Sequence, residues 1–134
     1  ASGNVVSRND YVLAEKMDKH NWAKYRWWRT QIEEYADFSA LNSLAQADVD
    51  ASVTRKGNTL EVILENRSEV VAFFVDMKLK DTSGEIIVPA FWNDNFVTLA
   101  PGETRIFTCR TDSLPENSSV TISGWNIERV TINI

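Results

Sequence analysis

The stretch that decides the fold runs from Asp48 to Glu65 and reads Asp-Val-Asp-Ala-Ser-Val-Thr-Arg-Lys-Gly-Asn-Thr-Leu-Glu-Val-Ile-Leu-Glu. Apolar residues take every second position from Val49 to Val53 and again from Leu60 to Leu64. This alternation gives an extended segment one apolar face. Between the two halves, Lys56-Gly57-Asn58 has the composition of a tight turn. The stretch therefore predicts an antiparallel β-hairpin with one buried face.

Strand-like segments of the same kind continue to the end of the chain. They are Val71–Leu79, Glu85–Val88, Thr104–Thr111, Val120–Ile122 and Arg129–Ile134. In the first of them we expect the odd-numbered residues to face the core, and Asp76, Lys78 and Lys80 to lie on the opposite face. Seven to nine short strands at spacings of roughly eight to twelve residues predict an all-β protein, an antiparallel β-sandwich.

Composition limits the classes of function. The chain has 134 residues, 43% hydrophobic and 25% charged, which is one ordinary globular domain. The cationic and aromatic run Lys24–Arg29 resembles a surface on which the bases of single-stranded nucleic acid stack. However, a net charge of −5 and the lack of a basic stripe argue against nucleic acid as a partner. No apolar run approaches the ~20 residues that span a bilayer, so no membrane span is expected.

The first residues indicate how the chain is organised. It begins Ala1-Ser2-Gly3 without Met and without a signal-peptide pattern, so we expect either a processed product or, in preference, a piece of a longer protein. Residues 1–13 are interpreted as the last strand of a preceding domain, with the strand over residues 4–13. Residues 14–45 are interpreted as an aromatic connecting segment, and residues 46–134 as the sandwich.

The connecting segment is predicted to be partly helical. Asp18–Trp28 has the pattern of a short helix, with Asp18 as its cap and with Trp22, Tyr25 and Trp28 at helical spacing. A second piece, Asp37–Leu44, is expected to form one or two helical turns capped by Asp37. Its apolar residues Phe38, Leu41 and Leu44 are expected to be buried. A segment this aromatic is expected to wrap over a surface of this domain or of a neighbour.

The stretch Trp92-Asn93-Asp94-Asn95 is the main candidate for a functional site. A buried strand has no use for Asn-Asp-Asn, because these side chains compete with the backbone for hydrogen bonds. Phe91, Trp92 and Phe96 would form an aromatic wall beside these short polar groups, and such a surface suits a sugar or a docking partner. The alternative is a turn that only builds the fold, as a crossing between strands.

Other chemistry is poorly supported by the sequence. One His and one Cys cannot build a zinc cage, and the oxygens around Asp94 lack the acidic density of a calcium loop. His20 is the candidate general base, but the sequence has no nucleophile motif to accompany it. It also has no glycine-rich phosphate loop, and no cofactor is expected. Cys109 lies in a predicted strand and is interpreted as a packed thiol that is not part of a disulfide.

Carboxylates, tryptophans and sequons have simple interpretations as well. Adjacent Glu33-Glu34 point in different directions, and Asp94 and Glu103 flank a strand, so neither is a glycosidase pair. Trp125 is interpreted as core or edge packing. Of Trp27-Trp28, one residue is expected to face outward or towards a neighbouring domain. The sequons Asn66-Arg67-Ser68 and Asn117-Ser118-Ser119 are explained equally well by turn chemistry.

Three runs of sequence in a fixed order carry a family resemblance. They are Ser7–Leu13, Tyr35–Leu44 and Pro89–Phe96 with Leu99–Thr104, followed by Gly124-Trp125-Asn126 near the end. Together they resemble the C-terminal region of glycoside hydrolase family 2 enzymes, especially exo-β-D-glucosaminidases and β-mannosidases. The first run departs from the family's Asn-Phe-Tyr-Trp-Leu type strand, since Asp10 replaces an aromatic residue and Val12 replaces Trp.

This resemblance implies an immunoglobulin-like, non-catalytic accessory domain of an exo-acting β-glycosidase. The two catalytic glutamates of such enzymes belong to a separate barrel domain and have no counterpart here. The implied partners are the catalytic and other domains of the parent enzyme, and the implied location is the bacterial periplasm or the exterior. Oligosaccharide or interdomain contact is then expected at Trp92, Asn93, Asp94, Asn95 and Trp28.

Two alternatives remain open from the sequence. One is a free-standing carbohydrate-binding module that uses Trp92 and Trp28 as stacking platforms. The other is a protein-interaction sandwich that docks a partner along its edge strands.

Overall fold

The computed structural model describes residues 9–134. The chain divides into two compact units, one reaching to Leu44 and the other running from Ala45 to Ile134. Half of the strand predicted over residues 4–13 lies outside the described residues. Residues 9–13, which are described, do not form a strand.

The first unit contains a β-hairpin where a helix was predicted. Strands β1 (Lys19–Arg26) and β2 (Arg29–Glu34) pair antiparallel. Lys19 Nζ donates to Glu34 Oε1 across the hairpin at 3.0 Å. The Asp18 carboxylate accepts a hydrogen bond from the Ala36 backbone N–H at 2.6 Å, so it closes the hairpin and caps no helix. The helical prediction for Asp18–Trp28 is therefore wrong. Trp and Tyr favour strands as well as fitting a helical spacing, and the contacts of Lys19 and Asp18 across the hairpin decide in favour of the strand.

The second predicted helical piece is a short 3-10 helix, Ser39–Ser43. The Asp37 carboxylate accepts a hydrogen bond from the Ser39 N–H at 2.8 Å, and this bond lowers the pKa of Asp37. Asp37 is not the capping residue, because Phe38 occupies the N-cap position and no side chain caps this helix. The prediction of a cap at Asp37 is therefore wrong, while the predicted one or two helical turns are present as this short 3-10 helix. The predicted burial is wrong for Phe38 and Leu44, which stay exposed. The aromatic first unit is a hairpin with one 3-10 turn and does not form a helical segment.

The second unit is an antiparallel sandwich of two four-stranded sheets. One sheet has the order β3-β4-β8-β6 and the other β10-β9-β5-β7. The strand bounds are β3 (Val49–Lys56), β4 (Thr59–Asn66), β5 (Ala72–Lys80), β6 (Ala90–Trp92), β7 (Val97–Leu99), β8 (Thr104–Thr111), β9 (Ser119–Ser123) and β10 (Val130–Asn133). The all-β sandwich prediction is confirmed.

The opening hairpin has the predicted register. Lys56 pairs with Thr59 across a two-residue turn in which Gly57 has φ of 64°, a conformation that glycine adopts without strain. Leu60, Val62 and Leu64 are fully buried and face the other sheet. Each such side chain contributes about 1.5–3 kcal/mol relative to exposure. The predicted strand Glu85–Val88 is absent, because only Ile86 forms a bridge, to Lys80.

Strand β5 departs from simple alternation near its start. The register with β7 shifts between Ala72 and Val75, and Phe74 has φ of 56°. This irregularity reverses the alternation, so that Ala72 is buried while Val71 is exposed, contrary to prediction. Beyond it the predicted alternation holds in Val75, Met77 and Leu79.

Asp76 lies on the outer face of β5 as predicted, yet it is buried. Ser123 Oγ donates to its carboxylate at 2.5 Å, and the Lys78 ammonium forms an ion pair with the other oxygen. A buried carboxylate with these two partners is part of the sheet surface and is not a solvated charge.

Candidate functional site

The Trp92–Asn95 stretch is the point at which the chain leaves one sheet for the other. Strand β6 ends at Trp92 beside β8, and β7 begins at Val97 beside β5. Residues 93–96 make the crossing. The interpretation of this stretch as a crossing between strands is confirmed.

Asn93 extends the first sheet by one position with its side chain. Its backbone N–H donates to Thr108 O at 3.0 Å, and its Oδ1 accepts from the Thr108 N–H at 2.7 Å. Trp92 pairs with Cys109 in the preceding register, so Asn93 stands opposite Thr108. The side-chain oxygen therefore takes the place of the backbone carbonyl in a ladder hydrogen-bond pair.

Asn95 does the same for the second sheet, using its side chain alone. Its Oδ1 accepts from the Met77 N–H at 2.8 Å, and its Nδ2 donates to Met77 O at 3.0 Å. Val75 pairs with Val97, so Asn95 lies opposite Met77 in the continued register. The N–H and the carbonyl of Met77 are therefore both hydrogen-bonded, although β7 does not extend to the position opposite Met77.

Asp94 lies between these two residues and holds the crossing to β8. Its Oδ2 is 2.6 Å from an Arg105 guanidinium nitrogen, and its Oδ1 accepts from the Asn95 N–H at 2.9 Å. The Arg105 guanidinium carbon lies 5.1 Å from the centroid of the Phe107 ring. The carboxylate is thus engaged on both oxygens, while its side chain remains 47% exposed.

The aromatic residues around the crossing do not form one wall. Trp92 is half-buried against the core, and the Arg110 guanidinium carbon lies 5.8 Å from the ring centroid of Phe91 on the first sheet. Phe96 packs against Phe74 of the second sheet, with 5.4 Å between ring centroids. The prediction of a common aromatic wall is therefore wrong, because the chain changes sheet between Phe91 and Phe96.

Trp28 belongs to the first unit. It contacts Trp27 edge to face, with ring centroids 5.3 Å apart, and it is 64% exposed. One residue of the Trp27-Trp28 pair was expected to face outward. Both are exposed, since Trp27 is exposed as well.

Two buried asparagines were missed by sequence reasoning as key residues. Asn126 accepts from the Phe73 N–H at 2.8 Å and donates to the carbonyls of Ala45 and Val71, each at 2.8 Å. Asn66 is fully buried and lies within 3.1 Å of the carbonyls of Leu99 and Ala100. In the sequence, each of these residues is recognisable only as an Asn beside a turn. This is a weak signal, because Asn is common in turns.

These contacts decide two other sequence interpretations. The buried amide of Asn66 leaves no room for a glycan. Trp125 is exposed, which excludes core packing and leaves the edge packing of the same interpretation, and its backbone N–H donates to Phe73 O at 2.9 Å.

Reactive chemistry is weakly supported across the described residues. Cys109 is fully buried, and burial raises the pKa of its thiol to about 11, which confirms a packed thiol. Within residues 9–134, no group of three or more His, Cys, Asp and Glu side chains is arranged to hold a metal ion. In the same range no helix is long and apolar enough to cross a bilayer.

Comparison with known proteins gives one consistent family. A family model described as the exo-β-D-glucosaminidase Ig-fold domain matches residues 27–127. The exo-β-D-glucosaminidase of Amycolatopsis orientalis is 39% identical over 142 residues, covering 98% of this chain and 14% of that protein. The exo-β-D-glucosaminidase of Arthroderma benhamiae is 38% identical over 130 residues, covering 96% of this chain and 15% of that protein.

Among solved structures, the crystal structure of the exo-chitosanase CsxA of Amycolatopsis orientalis matches with a TM-score of 0.85 and 39% identity. The match covers 100% of this chain and 17% of that chain. The chain thus spans about a seventh of the length of the curated relatives it matches. The predicted immunoglobulin-like architecture and the predicted resemblance to exo-β-D-glucosaminidases are confirmed.

Proposed function

Because the chain belongs to the exo-β-D-glucosaminidase Ig-fold domain family, we propose that it is a non-catalytic accessory domain of a multidomain exo-acting β-glycosidase. The names of the relatives support a glucosaminidase over a mannosidase as the parent enzyme. In this proposal the reaction takes place in another domain, and the sandwich supports that domain.

The observation that carries the proposal is the extent of the match. The alignment uses 98% of this chain but only 14% of the relative, so most of a relative's length lies outside the shared domain. The candidate site agrees with a supporting role, since Asn93 and Asn95 use their side chains to extend the sheets. No catalytic pair of carboxylates is assigned to this chain.

A side-by-side assay tests this proposal. The full-length gene product and the 134-residue chain are incubated with chitosan oligosaccharides, and the release of glucosamine from the chain ends is measured. We expect release by the full-length protein and none by the chain alone. Hydrolysis by the isolated chain, or an inactive full-length protein, would contradict the proposal.

Contact with sugar or with a neighbouring domain remains a proposal for Trp92, Asn93, Asp94, Asn95 and Trp28. The half-exposed Asp94 and the exposed Trp28 support it most, while the half-buried Trp92 supports it least. Export to the periplasm or the exterior is proposed from the family resemblance. Fractionation of the native host followed by immunoblotting tests this location.

A free-standing carbohydrate-binding module is the second candidate function. One observation favours it, the exposed and adjacent rings of Trp27 and Trp28. In that case the isolated chain would bind oligosaccharide, and Trp28→Ala would abolish the binding.

A further inference from the structure

Three exposed aromatic residues lie on one strand of the second sheet or next to the ends of its neighbours, and we call them the aromatic row: Trp125, Phe74 and Phe96. Trp125 lies two residues beyond the end of β9 and donates its backbone N–H to Phe73 O at 2.9 Å, which places it beside the start of β5. Phe74 contacts Phe96, which directly precedes β7, with 5.4 Å between ring centroids. The three residues are 54%, 49% and 57% exposed, respectively.

Two members of the aromatic row are held in an unfavourable backbone conformation. Phe74 has φ of 56° and Phe96 has φ of 54°. Bulky side chains rarely adopt positive φ, whereas glycine does so freely. In the described part of the chain the third non-glycine residue of this kind is Asn117, a type that tolerates the conformation. Strain retained at exposed rings indicates that the rings serve a contact outside this sandwich.

The chemistry of the surface indicates what kind of partner it fits. The charged side chains next along β5, Asp76 and Lys78, form an ion pair with each other, so they do not recruit an ionic partner. The rings of Phe74 and Phe96 are tilted by 44°, which makes a ridge and not a flat platform for a sugar ring. Aromatic residues are enriched at the centre of protein interfaces, where docking removes them from water.

We propose that the aromatic row is the surface on which this sandwich docks against an apolar face of another domain of its own polypeptide. The inference rests on the proposed function. The relatives extend far beyond the matched region, which is 14% of one of them and 15% of another, so proteins of that length contain further chain against which the row can dock. Docking would cover the rings and offset the backbone strain.

Hydroxyl-radical footprinting with mass spectrometry tests the proposal. Oxidation of Trp125, Phe74 and Phe96 is compared between the 134-residue chain and the full-length protein. We expect a several-fold loss of oxidation at all three residues in the full-length protein. Phe91, which is 55% exposed on the other sheet, is the matched control, and equal protection of Phe91 would contradict the assignment to this face.

A substitution at Phe74 gives a second and independent readout. Phe74→Gly relieves the backbone strain but also removes the ring contact with Phe96 and raises the entropy of the unfolded chain. These effects oppose each other in the isolated chain, so its melting temperature should change little. In the full-length protein it should lower the transition of the sandwich and increase the oxidation of Phe96. Phe91→Ala should shift both proteins equally. A Phe74→Gly shift of equal size in both proteins would overturn the proposal.

Other occupants of the row give distinct results. Protection in the isolated chain that rises with its concentration would assign the row to a second copy. Protection that requires added chitosan oligosaccharide would assign it to a sugar. Either result overturns docking between domains.

Activity in the same preparation separates this inference from the proposed function. An active full-length enzyme with an unprotected row overturns the docking and leaves the proposed function standing. A protected row in a full-length protein without glucosaminidase activity supports the docking and overturns the proposed function.

Discussion

Asn95 faces Met77 across the end of the β5–β7 pair and forms two hydrogen bonds to its backbone, at 2.8 and 3.0 Å, with the side chain alone. The amide takes the position that a strand residue would occupy in a continued ladder. The main chain is thereby released to cross to the other sheet without leaving the buried backbone of Met77 unpaired. The polar Asn-Asp-Asn sequence is explained by this need before any ligand is considered.

Asn95→Ala should destabilise the chain. The substitution leaves the N–H and the carbonyl of Met77 without their partners, and each unsatisfied group costs about 1–3 kcal/mol. We expect a lower midpoint of urea denaturation with an unchanged slope. Asn42→Ala, at an exposed position, is the control and should change the free energy of unfolding by less than about 0.5 kcal/mol. Equal midpoints for Asn95→Ala and Asn42→Ala would show that the bridge contributes nothing.

Asn66→Ala should also be strongly destabilising, because the Asn66 amide lies between the carbonyls of Leu99 and Ala100. We expect a loss of about 1–3 kcal/mol, measured by urea denaturation. Asn117→Gly is the control from the other sequon and should be neutral or stabilising, since residue 117 has φ of 57°.

The burial of Asn66 also predicts that its sequon is not glycosylated. After expression in a eukaryotic host, peptide mass spectrometry should find no glycan on Asn66 of the folded protein. Folded protein with a glycan at Asn66 would contradict the structure at this corner.

Cys109 should make stability fall at high pH. Burial raises the pKa of the folded thiol from 9.0 to about 11, so the folded state holds this proton where the unfolded state has lost it. The contribution is complete below pH 9 and is lost as the pH rises towards 11. The slope approaches about 1.4 kcal/mol per pH unit between these values.

Cys109→Ser isolates this effect, since serine does not ionise in the range. The difference in unfolding free energy between the parent chain and Cys109→Ser should shrink between pH 9.0 and about pH 11, the interval set by the two pKa values. A difference that stays constant with pH would argue that the thiol is accessible in the folded state.

The pair Asp94 and Arg105 links the crossing to β8 at 2.6 Å. The Asp94 side chain is about half exposed, so a double-mutant cycle with Asp94→Ala and Arg105→Ala should give a coupling of at most about 1 kcal/mol. In the full-length enzyme, contact with substrate predicts a higher KM for Asp94→Ala beyond its effect on melting temperature. Unchanged KM with a lower melting temperature would limit Asp94 to a structural role.

Local periodicity predicts those parts of the fold in which neighbouring residues decide the conformation. The alternation from Leu60 to Leu64 and the Gly57 turn suffice for the opening hairpin, because burial on one face leaves a single register. The strand Thr104–Thr111 is predicted with its observed bounds for the same reason.

The errors occur where distant partners decide the conformation. Helical spacing of Trp22, Tyr25 and Trp28 is also compatible with a strand, and only the pairing of Lys19 with Glu34 distinguishes the two. The irregularity at Phe74 reverses the alternation of β5 without any glycine to signal it. At the candidate site, the crossing is predictable from Asn-Asp-Asn, but the partners Thr108 and Met77 follow only from the register of both sheets.

We propose that this sandwich supports an enzyme and has no sugar site of its own. Isothermal titration calorimetry of the 134-residue chain with chitosan oligosaccharides tests this claim most directly. We predict no saturable heat up to millimolar oligosaccharide, and the same result for Trp28→Ala and Trp92→Ala. Saturable binding by the parent chain that either substitution abolishes would contradict the account.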